Sequence, residues 1–62
     1  MIKIDFWNKG QTRKDADRVT VTFYPNESIY RGNLYRNGRA IADFWSDNSV
    51  ELEKAFPGIF GE

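Results

Sequence analysis

Arginine and tyrosine side chains lie close together in the middle of the chain, at Arg31, Tyr35, Arg36 and Arg39. Guanidinium groups bind phosphate and tyrosine rings stack on unpaired bases, so this combination can contact a nucleic acid. An earlier basic stretch could add contacts to the phosphate backbone: Lys9, Arg13 and Lys14. The net charge of zero and the isoelectric point near 6.2 disfavour a dedicated nucleic-acid binder, which is normally strongly basic. Nucleic-acid binding is therefore the alternative interpretation.

The residue types that most often carry catalysis are missing. The chain has no histidine and no cysteine, which removes the usual general base, the best nucleophile and any Cys/His zinc site. It also lacks a glycine-rich phosphate loop. Asp43, Asp47 and Glu51 recur at four-residue spacing, but the pattern changes there from strand to helix, so they do not share one face. We expect no enzyme, no metal and no cofactor.

Alternation of apolar and polar residues predicts four strands, over residues 2–7, 18–24, 28–36 and 39–45. Short connections in sequence order favour an antiparallel meander, with the first or fourth strand at the edge. The third and fourth strands flank Asn37-Gly38, the strongest short hairpin signal, because a type I′ turn needs positive φ at both central residues. A two-residue turn at these positions sets four cross-strand pairs: Arg36 with Arg39, Tyr35 with Ala40, Leu34 with Ile41, and Tyr30 with Trp45.

The C-terminal part has the period of a helix. Asn48 is a suitable N-cap, Leu52, Ala55 and Phe56 form one apolar stripe, and Pro57-Gly58 ends the helix, with Ile59 and Phe60 folding back. So short a helix must pack on the sheet. The predicted fold class is therefore α+β: a small four-stranded antiparallel β-meander with one C-terminal α-helix packed on one face, forming a single compact domain over residues 1–62.

The hairpin register assigns side chains to two faces of the sheet, because strand residues alternate in direction. Asp43 fits this assignment worst, since it would point to the helix side near Gly32, and burying an unpaired charge is costly. The predicted core face holds the apolar positions Ile2, Ile4, Phe6, Val19, Val21, Phe23, Tyr30, Leu34, Ile41, Trp45, Leu52 and Phe56. The predicted helix-free face presents a binding surface of Trp7, Tyr24, Arg31, Asn33, Tyr35 and Phe44.

An aromatic and arginine-containing face on a small domain indicates a binding surface, since these side chains dominate interface hot spots. We expect a protein partner or self-association through this face, with nucleic acid as the alternative. Charge is unevenly distributed: eight cationic against four anionic side chains in residues 1–40, and one against five in residues 41–62. Mutual attraction of a basic sheet and an acidic helix within one fold is the favoured explanation of this distribution, and a charged surface for a partner of opposite charge is the alternative. The sequence shows no apolar run typical of a signal peptide or membrane span, so we expect a cytoplasmic protein.

Overall fold

The computed structural model describes residues 1–61; Glu62, which is counted among the acidic residues above, lies outside the described residues. The fold class is confirmed, because four antiparallel strands form one sheet and a single α-helix follows them. A short 3₁₀ turn, Arg13–Asp15, lies in the connection between the first two strands. The main elements are β1 (Ile2–Phe6), β2 (Arg18–Tyr24), β3 (Ile29–Arg36), β4 (Arg39–Ser46) and α1 (Ser49–Ala55).

The strand order in the sheet is β1-β4-β3-β2. Strands β2, β3 and β4 form a meander in sequence order, whereas β1 pairs with the far side of β4 and not with β2. The edge strands are thus β1 and β2, and the expectation that β4 could be an edge strand is wrong. The physical reason is burial: β4 contributes Ile41, Ala42, Phe44 and Ser46 to the buried set, and an interior position covers them on both sides.

The Asn37-Gly38 turn is confirmed, with φ of 52° at Asn37 and 80° at Gly38. Arg36 pairs with Arg39 and Tyr35 with Ala40, as expected, but the next pair joins Leu34 to Ala42. Ile41 is therefore an extra residue in β4, which forms a β-bulge there.

The bulge exchanges the two faces of β4 beyond Ile41. Tyr30 pairs with Ser46 and not with Trp45, and Leu34 pairs with Ala42 and not with Ile41, so these two predicted pairs are wrong. Phe44 moves to the core face, whereas Asp43 and Trp45 move to the opposite face. This arrangement removes the cost of burying the Asp43 carboxylate, because Asp43 is exposed in the folded chain.

The core lies between the sheet and α1, and its buried members are Leu34, Ile41, Ala42, Phe44 and Leu52. The other apolar residues of the predicted core face are partly buried against this cluster, except for two. Phe23 is half exposed and stacks on the Tyr30 ring at 4.8 Å, and Trp45 lies on the other face.

Helix α1 begins and ends where the sequence predicts. Asn48 is the N-cap, and its side-chain oxygen accepts hydrogen bonds from the backbone N–H groups of Val50 and Glu51. After the helix, Ile59 packs against the core and the Phe60 ring lies 5.5 Å from the Tyr30 ring, so the chain folds back as expected. The helix therefore covers one face of the sheet and leaves the other open.

Candidate functional site

Cross-strand pairing arranges the helix-free face in rows that run across the strands. Two neighbouring rows are complete across all four strands, in the order β1, β4, β3, β2. The cationic row consists of Lys3, Trp45, Arg31 and Thr22. The acidic row consists of Asp5, Asp43, Asn33 and Thr20. Beyond the acidic row, a shorter row holds Ala40, Tyr35 and Arg18.

A depression of about 360 Å³ lies along these rows on β2, β3 and β4. Backbone of Gly32 and Phe44 lies beneath it, because the side chain of Phe44 points to the core on the other side of the sheet. Its remaining lining consists of side chains that the core does not use: Thr20, Thr22, Tyr24, Arg31, Asn33, Asp43 and Trp45. This is the concave part of the helix-free face.

Two tyrosine rings of this face are covered by arginines. The guanidinium carbon of Arg31 lies 5.6 Å from the centre of the Tyr24 ring, and that of Arg18 lies 5.5 Å from the centre of the Tyr35 ring. Arg31 also donates a hydrogen bond of 2.9 Å to the Glu27 carboxylate, and this bond raises the pKa of Arg31 above its ordinary value. Such cation–π contacts limit side-chain motion before any partner binds.

Asn33 has a structural contact within this face. Its side-chain amide donates a hydrogen bond of 3.3 Å to the carbonyl oxygen of Ala42, the residue that follows the bulge. Asn33 therefore helps to hold β3 against β4 where the ladder is irregular, while it also lines the depression. Its role as a binding residue is thus limited to the part of the amide that this bond leaves accessible.

Two carboxylates face each other at the β1 end of the acidic row. Asp5 pairs directly with Asp43 across β1 and β4, and both side chains are exposed. Like charges placed opposite each other destabilise a sheet. Within residues 1–61, neither carboxylate forms an ion pair, and the Lys3 ammonium forms none either. The helix-free face therefore offers both unpaired anions and an unpaired cation.

The placement of Phe44 in the predicted binding surface is wrong. Only 2% of its surface is exposed, and its ring packs against the Phe56 ring at 5.4 Å on the helix side. The bulge at Ile41 is the physical cause, since it shifts the alternation of β4 by one residue. The same shift brings Asp43 and Trp45 into the site, and sequence reasoning missed both of them.

The remaining predicted binding residues lie on or beside the helix-free face. Tyr24, Arg31, Asn33 and Tyr35 lie on it, as the pairing of β2 with β3 requires. Trp7 follows β1 directly and is 55% exposed, and its backbone N–H donates a hydrogen bond to the carbonyl oxygen of Ile41 beside the bulge. Trp7 therefore lies near one end of the face, outside the depression.

Except for Arg31, the basic residues proposed for nucleic-acid contact do not join this face. The guanidinium group of Arg13 lies over the Phe56 ring at 5.7 Å, and that of Arg36 donates a hydrogen bond to the backbone oxygen of Asp15. These contacts belong to the helix side, where the β1–β2 connection runs. Lys14 lines a groove on that side, Arg39 pairs with Arg36 beside the hairpin turn, and Lys9 lies in the exposed segment after β1.

In the described part of the chain, residues 1–61, no group of three or more acidic side chains is placed to hold a metal ion. No helix in that range has the length and apolar character required to cross a bilayer. Comparison of the chain with protein-family models, with curated proteins and with solved structures finds no match. The helix-free face has therefore to be interpreted from its own chemistry.

Proposed function

We propose that this chain is a non-catalytic binding module that engages a protein through its helix-free face. The observation that carries the proposal is the depression lined by Tyr24, Arg31 and Trp45. These side chains contribute little to the core, yet they are of the types that dominate protein interfaces. Aromatic and polar side chains together around the depression suit a peptide segment or a protein surface, because such partners offer both apolar and hydrogen-bonding groups.

The charges of the face support a protein partner over a nucleic acid. Lys3, Arg18 and Arg31 are interrupted by Asp5 and Asp43, so a phosphate backbone crossing the sheet would meet two carboxylates. Nucleic-acid affinity depends on neutralising successive phosphates with cations, and the acidic row opposes it. Two of the other basic side chains, Arg13 and Arg36, make their contacts on the helix side and so add no charge to this face.

The absence of histidine and cysteine supports a role without catalysis. General acid–base and nucleophilic chemistry most often use these two residue types. The depression contains the hydroxyls of Thr20 and Thr22, but no histidine or cysteine lies beside them to act as a base. Binding, in contrast, needs only the surface chemistry that the depression already holds.

The experiment that tests the proposal is selection of binding peptides from a random display library, followed by mapping of the bound peptides by amide chemical shifts. We expect shifts at Thr22, Asn33 and Trp45, and we expect Trp45→Thr to weaken peptide binding at least about tenfold, as loss of an aromatic hot spot does. Val50→Thr is the matched control, because Val50 is an exposed apolar residue of α1 on the helix side. Peptides that shift only the helix side and depend on Val50 would refute the proposal.

Titration with single-stranded and duplex oligonucleotides tests the alternative function in the same spectra. Phosphate-driven binding falls steeply with salt, whereas an aromatic protein interface depends on salt weakly. We expect no shifts on this face at physiological salt. If salt-sensitive shifts clustered at Arg31, Tyr35, Arg36 and Arg39, the function would be nucleic-acid binding and not protein binding.

A further inference from the structure

We propose that the helix-free face pairs with the same face of a second copy of this chain, about a two-fold axis that runs across the strands between the cationic row and the acidic row. This inference rests on the proposed function and names its partner. Closed two-fold pairing requires a surface that is complementary to itself. The two rows provide such complementarity in charge and in shape.

The geometry of the axis follows from the spacing of the rows. Residues two apart on an antiparallel strand are separated by about 6.8 Å, so the axis lies about 3.4 Å from each row. Rotation by a half turn about this axis brings the cationic row of one copy over the acidic row of the other and leaves each strand over its own counterpart. Lys3 then faces Asp5 of the second copy, and Trp45 faces Asp43 of the second copy. The same contacts recur with the two copies exchanged.

The charges match in this arrangement. Lys3 meets a carboxylate directly, and the backbone of Arg31 lies about 4.8 Å, one strand spacing, from the position over Asp43 of the second copy. Asp5 and Asp43 repel each other within one copy, and cations from the second copy reduce that repulsion. Arg31 keeps its bond to Glu27 at the rim while its guanidinium plane covers Tyr24.

The shapes of the rows match as well. Three long side chains form a ridge in the cationic row, namely Lys3, Trp45 and Arg31, whereas the acidic row has only aspartate, asparagine and threonine. The depression between them is lined from both rows: by Thr22, Arg31 and Trp45 and by Thr20, Asn33 and Asp43. The longer side chains of each copy therefore lie over the shorter side chains of the other, and Trp45 supplies the large aromatic contact that hot spots require.

The size of the face predicts a weak dimer. Four strands about 4.8 Å apart, each about 17–27 Å long, form a surface near the lower limit for a specific interface. We expect association at micromolar to millimolar concentration, where net affinity remains small after the cost of ordering the side chains.

Sedimentation equilibrium across that concentration range tests the pairing. Lys3→Glu and Asp5→Lys each place like charges opposite each other in the dimer, and each is expected to raise the dissociation constant at least about tenfold. The double variant Lys3→Glu/Asp5→Lys restores opposite charges and is expected to dimerise like the original chain. An equimolar mixture of the two single variants is expected to form the mixed dimer. Lys14→Glu is the matched control, because it makes the same charge change on the helix side.

Two results would overturn the pairing without touching the proposed function. One is a monomer at every concentration; the other is a dimer that responds equally to Lys3→Glu and Lys14→Glu. If library-selected peptides still bound the depression in either case, the face would serve a different protein. If, in addition, the selected peptides did not bind the depression but another part of the surface, the proposed function and the self-pairing would both be refuted.

Discussion

Replacing Phe44 by alanine is expected to lower the free energy of unfolding by about 3–5 kcal/mol, the usual cost of truncating a core phenylalanine. Phe44 is 2% exposed, packs on the Phe56 ring at 5.4 Å and covers Gly32, which has no side chain of its own. A 62-residue domain has a total stability of about 3–9 kcal/mol. Phe44→Ala therefore removes most of the stability, while Phe44→Leu, closer in volume, should cost less than about 1.5 kcal/mol.

Trp45 is the matched comparison, because it is the next residue and a larger aromatic. Its side chain lies half buried on the helix-free face, between Lys3 of β1 and Arg31 of β3. Trp45→Thr keeps a residue that favours strands and loses only cross-strand contacts, which contribute about 0.2–1 kcal/mol each. We expect this variant to fold with nearly the original stability.

Urea denaturation followed by far-ultraviolet circular dichroism measures both variants without relying on tryptophan fluorescence. The register of β4 is tested by comparing how much Phe44→Ala and Trp45→Thr each lower the free energy of unfolding. If Trp45→Thr cost as much as Phe44→Ala, or more, Trp45 would be the core residue and the bulge at Ile41 would be absent. The charged rows of the helix-free face would then not exist, since Asp43 would lie on the core side.

Three further substitutions test single contacts by the same denaturation measurement. Gly32→Ala is expected to cost about 1–3 kcal/mol or more, because the new methyl group would overlap the backbone oxygen of Thr20 and lie 2.7 Å from the Phe44 ring; near-neutral behaviour would contradict this packing. Gly38→Ala should cost about 1–2 kcal/mol, since φ is 80° there, and an unchanged midpoint would argue against the turn. Asn48→Ala should cost about 0.5–2 kcal/mol through loss of the N-cap, whereas Asn48→Asp should retain most of it.

The elements that the sequence predicts correctly depend on local signals. Asn37-Gly38 identifies the hairpin because few other residue pairs tolerate two positive φ angles in succession. Asn48 identifies the start of the helix because its side chain reaches the backbone N–H groups of the next turn. Each signal acts within a few residues, so no knowledge of the tertiary structure is needed to recognise it.

The placement of β1 beside β4 depends on contacts far apart in the chain. Ile2, Ile4 and Phe6 alternate in the same way whether they pair with β2 or with β4, so the pattern predicts a strand without naming its neighbour. Burial of both sides of β4 selects the neighbour, and this is a property of the assembled sheet. Sequence order favoured the simpler meander for lack of this information.

The bulge accounts for the error in the candidate site, and one residue carried a signal for it. A regular ladder with Ile41 in the core also buries Asp43, which costs far more than a local irregularity. Ile41 and Phe44 are three residues apart, and a strand can bury both on one face only with an extra residue between them. The poor fit of Asp43 was therefore a signal that the ladder is irregular, and following it would have exchanged Phe44 for Trp45 in the predicted binding surface.

Deletion of Ile41 tests this reasoning directly. In the bulged ladder Ile41 lies between two existing pairs, Tyr35 with Ala40 and Leu34 with Ala42, so its removal leaves the partners of residues 42–46 unchanged. Ile41→Ala removes most of the same buried side chain but keeps the bulge. We expect the two variants to differ by only about 1 kcal/mol, the contribution of roughly one backbone hydrogen bond.

An unbulged ladder would respond to the deletion in the opposite way. Removing one residue would slip the pairing of β4, move Trp45 out of the core where such a ladder places it and cost about 3–5 kcal/mol more than Ile41→Ala. The free energy of unfolding of both variants can be measured in trimethylamine N-oxide, which stabilises compact states and so keeps the two weakened domains folded at the start of the denaturation. A deletion that unfolds the chain while Ile41→Ala remains folded would thus contradict the bulge. It would also contradict the acidic row, because Asp43 reaches the helix-free face only through the bulge.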